Sequence, residues 1–234
     1  MNINDLIIQD KEEVKLESVF LEETNQRMLE QLIREYRFAE ELLRYNLPVN
    51  NKLLLYGASG CGKTMSAKAI AQKLGKRILI LNLSNIISAR LGETSQHLRL
   101  IFDKAIKENA VLFLDEFDQI GKTRGAENDS GEIRRLVNTL IQLIDYFPPT
   151  SLLICASNHA EILDDALLRR FQLRISFALP GVEVLNKYYT SILEAFPEDL
   201  RQINRVYDLS FAQAKDYAFT QVKERLISKL ELRE

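Results

Sequence analysis

The chain has 234 residues, of which 31 are Lys or Arg and 33 are Asp or Glu, so its formal net charge is −2. Its 46% of hydrophobic residues supply enough apolar material for a folded core, which excludes disorder for the bulk of the chain. The balanced charge argues against bulk electrostatic binding to nucleic acid or to an anionic membrane. There is no signal-peptide pattern, no apolar run of the roughly 18 residues that span a bilayer, and only Cys61 and Cys155 for disulfides. We therefore expect a soluble, cytoplasmic protein without a membrane partner.

The N-terminal region divides into two parts. Residues 1–22 mix charged and aliphatic side chains without a clear period, and we expect them to form an arm. From Thr24 to Leu43, apolar side chains recur at three- and four-residue steps, which is typical of a helix. Asn46-Leu47-Pro48 follows and predicts the end of that helix.

Five short apolar runs follow, separated by helical patterns. They lie at 53–56, 78–81, 111–114, 152–155 and 173–177. The first four are continuous, as expected for strands covered on both faces, whereas the fifth alternates and fits an edge strand. Strands alternating with helices predict a three-layer α/β domain with a five-stranded, mostly parallel sheet over 23–178. After Pro180-Gly181 the pattern is helical, so we expect a small all-α segment over 179–234.

A phosphate-binding motif follows the first run. Gly57-Ala58-Ser59-Gly60-Cys61-Gly62-Lys63-Thr64 matches G-x-x-x-x-G-K-[ST] at every fixed position. The glycines let backbone N–H groups surround a β-phosphate, Lys63 reaches the β- and γ-phosphates, and the Thr64 hydroxyl can ligate Mg²⁺. A coincidental turn is the alternative reading, but the preceding strand and the Ala-rich helix that continues from Met65 favour a nucleotide site in a P-loop NTPase fold.

Two adjacent acids end the third run. Asp115 and Glu116 follow Val111–Leu114, which places their carboxylates at the edge of the sheet where α/β proteins bind ligands. Asp115 is the expected Mg²⁺ partner, and Glu116 is placed to polarise an attacking water. The simpler alternative is that two acids merely solvate a strand end. A general base at Glu116 is needed by an enzyme that hydrolyses its nucleotide repeatedly, whereas a pure nucleotide switch does not need one. The residue therefore favours the enzyme.

Three further stretches match signature segments of one family. They are Leu91-Gly92-Glu93 with Leu98-Arg99, Phe102 and Ala105; Ser157-Asn158; and Leu163–Phe171 with its Arg169-Arg170 pair. Together with the phosphate-binding motif they resemble the AAA+ ATPases, in the branch that contains katanin, spastin and the proteasomal ATPases. The resemblance covers about residues 18 to 178, and the tail more loosely.

The resemblance implies roles for these residues. Asn158 would orient the water or the γ-phosphate, and Arg169 and Arg170 would be arginine fingers that reach the nucleotide of a neighbouring subunit. Without it, the two arginines would be interpreted as a solvated helix end. It also implies ATP and Mg²⁺ as ligands, hydrolysis of ATP to ADP and phosphate that depends on assembly, and a hexameric ring with heterologous interfaces. The region 23–178 would be the ATPase core and 179–234 its helical lid.

The sequence departs from the family pattern at several places. Arg90 stands where threading members carry a pore-loop aromatic, so polypeptide threading is in doubt. The lid stretch Leu209–Ala214 lacks the Gly of the family's Gly-Ala pair. The polar segment Gly121–Gly131, with Lys122, Arg124, Glu127 and Asp129, matches the second pore loop. We expect the arm or a separate protein to supply specificity.

Three functions follow from these observations. The favoured one is an ATP-hydrolysing ring that remodels or regulates a partner protein. The alternative is a nucleotide-gated regulatory subunit that recruits a separate effector. A loader that handles nucleic acid is less favoured, because the net charge is near zero and only Arg90, Lys122 and Arg124 could form a basic ring.

Overall fold

The part of the chain that the structure describes is built around one sheet of six strands in the order β1-β3-β4-β5-β2-β6. A computed structural model describes residues 3–8, 10, 12–88, 91–122, 130–163 and 165–232. The strands are β1 (Ile7–Ile8), β2 (Lys52–Gly57), β3 (Ile78–Asn82), β4 (Val111–Asp115), β5 (Leu153–Ser157) and β6 (Leu173–Phe177). The pairs β3–β4, β4–β5, β5–β2 and β2–β6 are parallel, and β1 pairs with β3 in the antiparallel direction.

Helices cover both faces of the sheet. Those up to the end of β4 are α1 (Ile3–Leu6), α2 (Glu23–Arg37), α3 (Ala39–Arg44), α4 (Lys63–Lys73), α5 (Leu83–Ser88) and α6 (Leu91–Lys107). After β4 come α7 (Gln119–Lys122), α8 (Ser130–Asp145), α9 (Asp165–Leu168), α10 (Val182–Leu193) and α11 (Phe211–Glu231). Apolar side chains of α2 and α4 pack on one face of the sheet, and those of α6 and α8 pack on the other. The predicted three-layer α/β class is confirmed.

The sheet has one strand more than the five predicted. The additional strand, β1, lies in the arm and consists of only two residues, Ile7 and Ile8, which pair with Leu81 and Ile80 of β3. A segment so short has no periodic pattern of its own and is a strand only because β3 offers it an edge. The five predicted runs are all strands, and β6 lies at an edge as its alternating pattern predicted.

The helical segments differ from the sequence patterns at two places. The helix predicted from Thr24 breaks at Phe38 into α2 and α3. The C-terminal helices α10 and α11 have an apolar core of their own, whose members include Leu185, Tyr189 and Ala218. None of the helices in the described part of the chain combines the length and the apolar character that crossing a bilayer requires.

Candidate active site

The phosphate-binding motif forms the turn between strand β2, which lies next to the edge strand β6, and helix α4. Gly57 has a φ of 125°, and a Cβ at this position would lie 2.3 Å from the carbonyl oxygen of Phe177 in β6. The next amide, that of Ala58, donates to the same oxygen at 2.9 Å. Glycine is therefore required for the loop to leave β2 in close contact with β6.

Lys63 opens α4 and is almost completely buried, with 7% of its surface exposed. Its Nζ donates to the carbonyl oxygens of Gly57 and Ala58, both at 2.8 Å. Burial lowers the pKa of Lys63, and the charge of Asp115 is among the smaller effects that oppose this. A buried ammonium held by carbonyl oxygens would gain from an anionic partner, which is what a phosphate provides.

Thr64 and Asp115 bring two oxygen ligands together beside the loop. The Thr64 hydroxyl donates to Asp115 Oδ2 at 3.4 Å. Burial raises the pKa of Asp115, and the charge of Glu116 acts in the same direction, while the amide of Glu116 and the charge of Lys63 oppose it. A hydroxyl and a carboxylate are the hard ligands that Mg²⁺ takes from a protein when phosphates and water complete its shell, so the residues present fit this ion.

Glu116 lies one residue beyond β4 in a left-handed conformation, with a φ of 54°. Its amide donates to Asp115 Oδ1 at 2.9 Å, which helps to hold a backbone that side chains rarely adopt. Its Oε2 accepts a hydrogen bond from the hydroxyl of Ser84 in α5. The sequence pattern gave no signal for Ser84, because its role depends on β3 and β4 being neighbours.

One cavity of about 510 Å³ collects most of the predicted residues. Those that line it are Ser59, Gly60, Gly62, Lys63, Thr64, Met65, Asp115, Glu116 and Asn158. Cys61 is buried within the loop, where its Sγ lies 3.7 Å from the Ser59 carbonyl oxygen and burial raises the pKa of its thiol. The cavity thus brings the phosphate-binding loop, the two acids Asp115 and Glu116, and the amide side chain of Asn158 together at the carboxyl end of the parallel strands.

A further part of the cavity lining comes from segments that are distant in the chain from the phosphate-binding loop. It includes Phe20 of the arm, Tyr188 of α10, and Phe211 and Lys215 of α11. The three aromatic rings contact one another, with centroids 5.2 Å apart for Phe20 and Tyr188 and 4.9 Å apart for Tyr188 and Phe211. A purine base can stack on such rings. Sequence patterns missed this aromatic wall because its members are distant in the chain.

The first turn of α11 also contacts the phosphate-binding loop. The Ala212 amide donates to the Gly60 carbonyl oxygen at 3.3 Å. Gly60 has a φ of 72°, and a Cβ there would lie 2.8 Å from Ser210 Oγ. The stretch 209–214, which lacks the family's glycine, thus packs directly against the loop.

Neither of the two predicted arginine fingers lines the cavity. The Arg169 side chain is exposed, and its Nε donates to the Asp165 carbonyl oxygen in its own turn at 3.0 Å. Arg170 is half-buried in an ion pair, with its Nε 2.8 Å from Asp145 Oδ1. Two arginines that are adjacent in sequence therefore have different surroundings, and Arg169 is the one presented to solvent.

Several predicted features lie outside the described residues. These are Arg90, Arg124, Glu127 and Asp129, together with the side chain of Lys122. They include the residues expected at both pore loops.

Comparisons with known proteins agree on the family. Residues 53–179, more than half of the chain, match the profile of the ATPase family associated with various cellular activities (AAA). The chain is similar to the AAA family ATPase y4kL of Sinorhizobium fredii, with 34% identity over 90% of this chain and 65% of that protein. It is also similar to the proteasome-associated ATPase of Thermobifida fusca, with 30% identity over 78% of this chain and 38% of that protein. The chain thus spans about two thirds or less of these relatives.

A solved structure supports the fold. The crystal structure of the FIGL-1 AAA domain superimposes with a TM-score of 0.76 over 93% of this chain and 74% of that chain, at 22% sequence identity. The phosphate-binding loop, the acids after β4 and the helical C-terminal segment all lie within one fold of this class. The chain therefore belongs to the AAA family of ATPases and contains its ATPase domain.

Proposed function

We propose that the chain binds ATP with Mg²⁺, hydrolyses it to ADP and phosphate as part of a ring of its own copies, and uses this reaction to remodel or regulate a partner protein. The observation that supports the reaction best is the convergence of Lys63, Thr64, Asp115, Glu116 and Asn158 on one cavity. We propose a matching division of the chain into an arm (1–22), an ATPase core (23–178) and a helical lid (179–234).

Each side chain of the cavity has a part in this chemistry. Lys63 would exchange its two carbonyl partners for phosphate oxygens, and the loop amides would surround the β-phosphate. Thr64 and Asp115 would hold Mg²⁺, which when bound neutralises charge on the phosphate oxygens. Glu116 would polarise the attacking water after leaving Ser84, and Asn158 would orient that water or the γ-phosphate.

Assembly would complete the site. Arg169 is exposed and does not line the cavity of its own chain, and we assign it to the nucleotide of a second copy. An arginine supplied in trans stabilises the charge of the transferred phosphoryl group and can contribute about 10³–10⁵-fold to the rate. Arg170 is better suited to hold this helix end in place, because it is paired with Asp145.

Cys61 and Cys155 are free and buried, which supports a reducing, cytoplasmic setting.

The first prediction concerns turnover and assembly. We expect ATPase activity per chain to rise with protein concentration, and Glu116→Gln and Arg169→Ala each to lower kcat about 100-fold or more without loss of ATP binding. Arg174→Ala, at an exposed position of β6, is the matched control and should leave kcat unchanged. Mixing the two inactive variants should restore activity, because some interfaces then combine an intact Glu116 with an intact Arg169.

Three outcomes would count against this proposal. Turnover that is independent of concentration would contradict the role of assembly. Turnover that Glu116→Gln leaves unchanged would contradict the assigned chemistry, and failure of the mixture to regain activity would contradict a finger in trans. If Glu116→Gln keeps full activity toward the partner that co-purifies with it, the nucleotide-gated alternative is the better description.

A further inference from the structure

A buried carboxylate lies between the turn that contains Glu116 and the turn that contains Asn158. It belongs to Asp118, which is only 2% exposed. A carboxylate at this depth is costly unless hydrogen bonds satisfy it. The roles assigned to the cavity residues so far leave Asp118 without a function.

The contacts of Asp118 organise the turn around Asn158. Its Oδ1 accepts hydrogen bonds from the Asn158 amide at 3.2 Å and from the hydroxyl of Ser157 at 3.4 Å. That hydroxyl in turn accepts from the amide of His159 at 3.1 Å. One carboxylate oxygen therefore fixes, directly or through Ser157, the backbone on both sides of the Asn158 side chain.

These bonds continue the link between β4 and β5 beyond the end of their regular pairing. The paired residues end at Leu114 and Cys155, and the Phe117 amide then donates to the Ala156 carbonyl oxygen at 2.8 Å. The next link along the chain is the one from Asp118 to residues 157 and 158. Glu116, just before these links, and Asn158, at their end, are thereby held in a fixed relation.

We propose that Asp118 is a positioning residue, which holds Asn158 in register with Glu116 so that both side chains act on the same water and γ-phosphate. This inference rests on the proposed ATPase function. Asp118 lies outside the cavity lining, so it acts through Asn158 and does not contact the nucleotide.

The second prediction uses kinetics to separate positioning from a purely structural role. Asp118→Ala should lower kcat about tenfold or more, while the affinity for a fluorescent ATP analogue stays within about twofold, because binding does not require Asn158 to be in register. Asp118→Asn should retain most of the activity, since the amide oxygen can accept the same two hydrogen bonds. Asp103→Ala, at an exposed position of α6, is the control.

Coupling to Asn158 gives the sharper test. If Asp118 acts through Asn158, the double variant Asp118→Ala/Asn158→Ala should be no slower than Asn158→Ala alone. If the losses of kcat in the two single variants multiply in the double variant, the proposal is overturned. An unchanged kcat in Asp118→Ala would overturn it as well. So would a loss of kcat in Asp118→Asn as large as that in Asp118→Ala. Should Asp118→Ala fail to fold, Ser157→Ala removes one of the two hydrogen bonds and should give a smaller loss of kcat with unchanged binding.

Hydrogen exchange provides a readout that does not depend on turnover. Exchange at the amides of 157–159 should be faster in Asp118→Ala than in Asp103→Ala, because the bond that protects the Asn158 amide is lost. Equal exchange would overturn the positioning role even if kcat fell. A wild-type chain that shows no turnover while these amides respond as expected would instead contradict the proposed ATPase function.

Discussion

Asp115 combines two opposing demands within one side chain. As a ligand for Mg²⁺ it must be ionised, yet burial raises its pKa and disfavours the charge. A raised pKa in the folded state stabilises the fold only while the carboxyl is protonated, and this contribution is lost as pH rises through the folded-state pKa. In its ionised form this half-buried carboxylate therefore lowers the free energy of unfolding of the nucleotide-free protein.

The third prediction follows from this penalty. In the absence of nucleotide at pH 7, Asp115→Asn should have a higher Tm than the wild type. The amide oxygen of Asn can accept from the Glu116 amide and its NH2 group can donate to the Thr64 hydroxyl, so both contacts remain without a charge. Each 1 kcal/mol would appear as about 2–4 °C in a chain of this size. The difference should shrink as pH falls toward the ordinary range of an Asp carboxyl.

Calorimetric scans of Asp115→Asn beside Asp103→Asn, an exposed control, would measure the effect. With ATP and Mg²⁺ the order should reverse, since only the wild type gains stability from binding both. A nucleotide-free Asp115→Asn that melts below the wild type at pH 7 would show that the carboxylate stabilises the fold.

At the scale of elements, the start of α11 connects folding to the nucleotide site. Ser210 and Gln213 form a capping box, in which Ser210 Oγ accepts from the Gln213 amide at 3.3 Å and Gln213 Oε1 accepts from the Ser210 amide at 2.9 Å. The same turn donates the Ala212 amide to Gly60 of the phosphate-binding loop. A helix end that is correctly capped therefore also supports one wall of the cavity.

The fourth prediction is that Ser210→Ala destabilises the protein and weakens its binding of ATP. Loss of an N-cap typically costs about 1 kcal/mol, which corresponds to about 2–4 °C in Tm. Ser228→Ala, at an exposed position of the same helix, should leave both properties unchanged, because alanine is a good helix former. Thermal melts and ATP titrations of the two variants check this. An equal Tm and an equal ATP affinity in both variants would show that the capping box contributes nothing to the site.

The elements differ in how far the sequence predicts them. The five main strands were predicted because burial on both faces leaves continuous apolar runs. The start of α11 was not predicted, although Ser210 and Gln213 have the spacing of a capping box, because the pattern after Pro180-Gly181 was interpreted only as helical, without bounds for each helix. The break at Phe38 was missed as well, since the apolar period continues across it from α2 into α3.

Site residues show the same contrast. Lys63, Thr64, Asp115 and Glu116 belong to local motifs whose spacing reflects the chemistry of phosphate and metal binding. Asp118, the Ser84 contact and the aromatic wall depend on which strands and chain ends become neighbours in the fold. A single sequence contains no local pattern for such contacts.

At the scale of the whole molecule, the arm crosses from the edge of the sheet to the C-terminal helices. Its residues Asp10 and Glu12 form ion pairs with Lys68 of α4, with Glu12 Oε2 2.8 Å from the ammonium. Further along, Phe20 packs against Tyr188 and Phe211 at the cavity. The arm thus contacts the phosphate-binding helix and the helices beyond β6, and one side of the cavity depends on it.

The fifth prediction tests this dependence. Phe20→Ala should weaken ATP binding by about tenfold, because it removes a lining ring together with the two contacts, of about 0.5–1.5 kcal/mol each, that hold Tyr188 and Phe211 in the cavity wall. Phe38→Ala makes the same chemical change at a ring that is 64% exposed and should leave the affinity unaltered. Titration with a fluorescent nucleotide distinguishes them, and equal affinities would mean that the arm is not part of the binding site.

The short strand β1 has a consequence that is unrelated to nucleotides. The outer side of β3 would otherwise present unpaired backbone groups, and an open strand edge is a template on which another chain can add a strand and start aggregation. By pairing with Leu81 and Ile80, Ile7 and Ile8 occupy that edge in the antiparallel direction. At these two residues the arm therefore covers the edge against pairing with a strand of a neighbouring molecule.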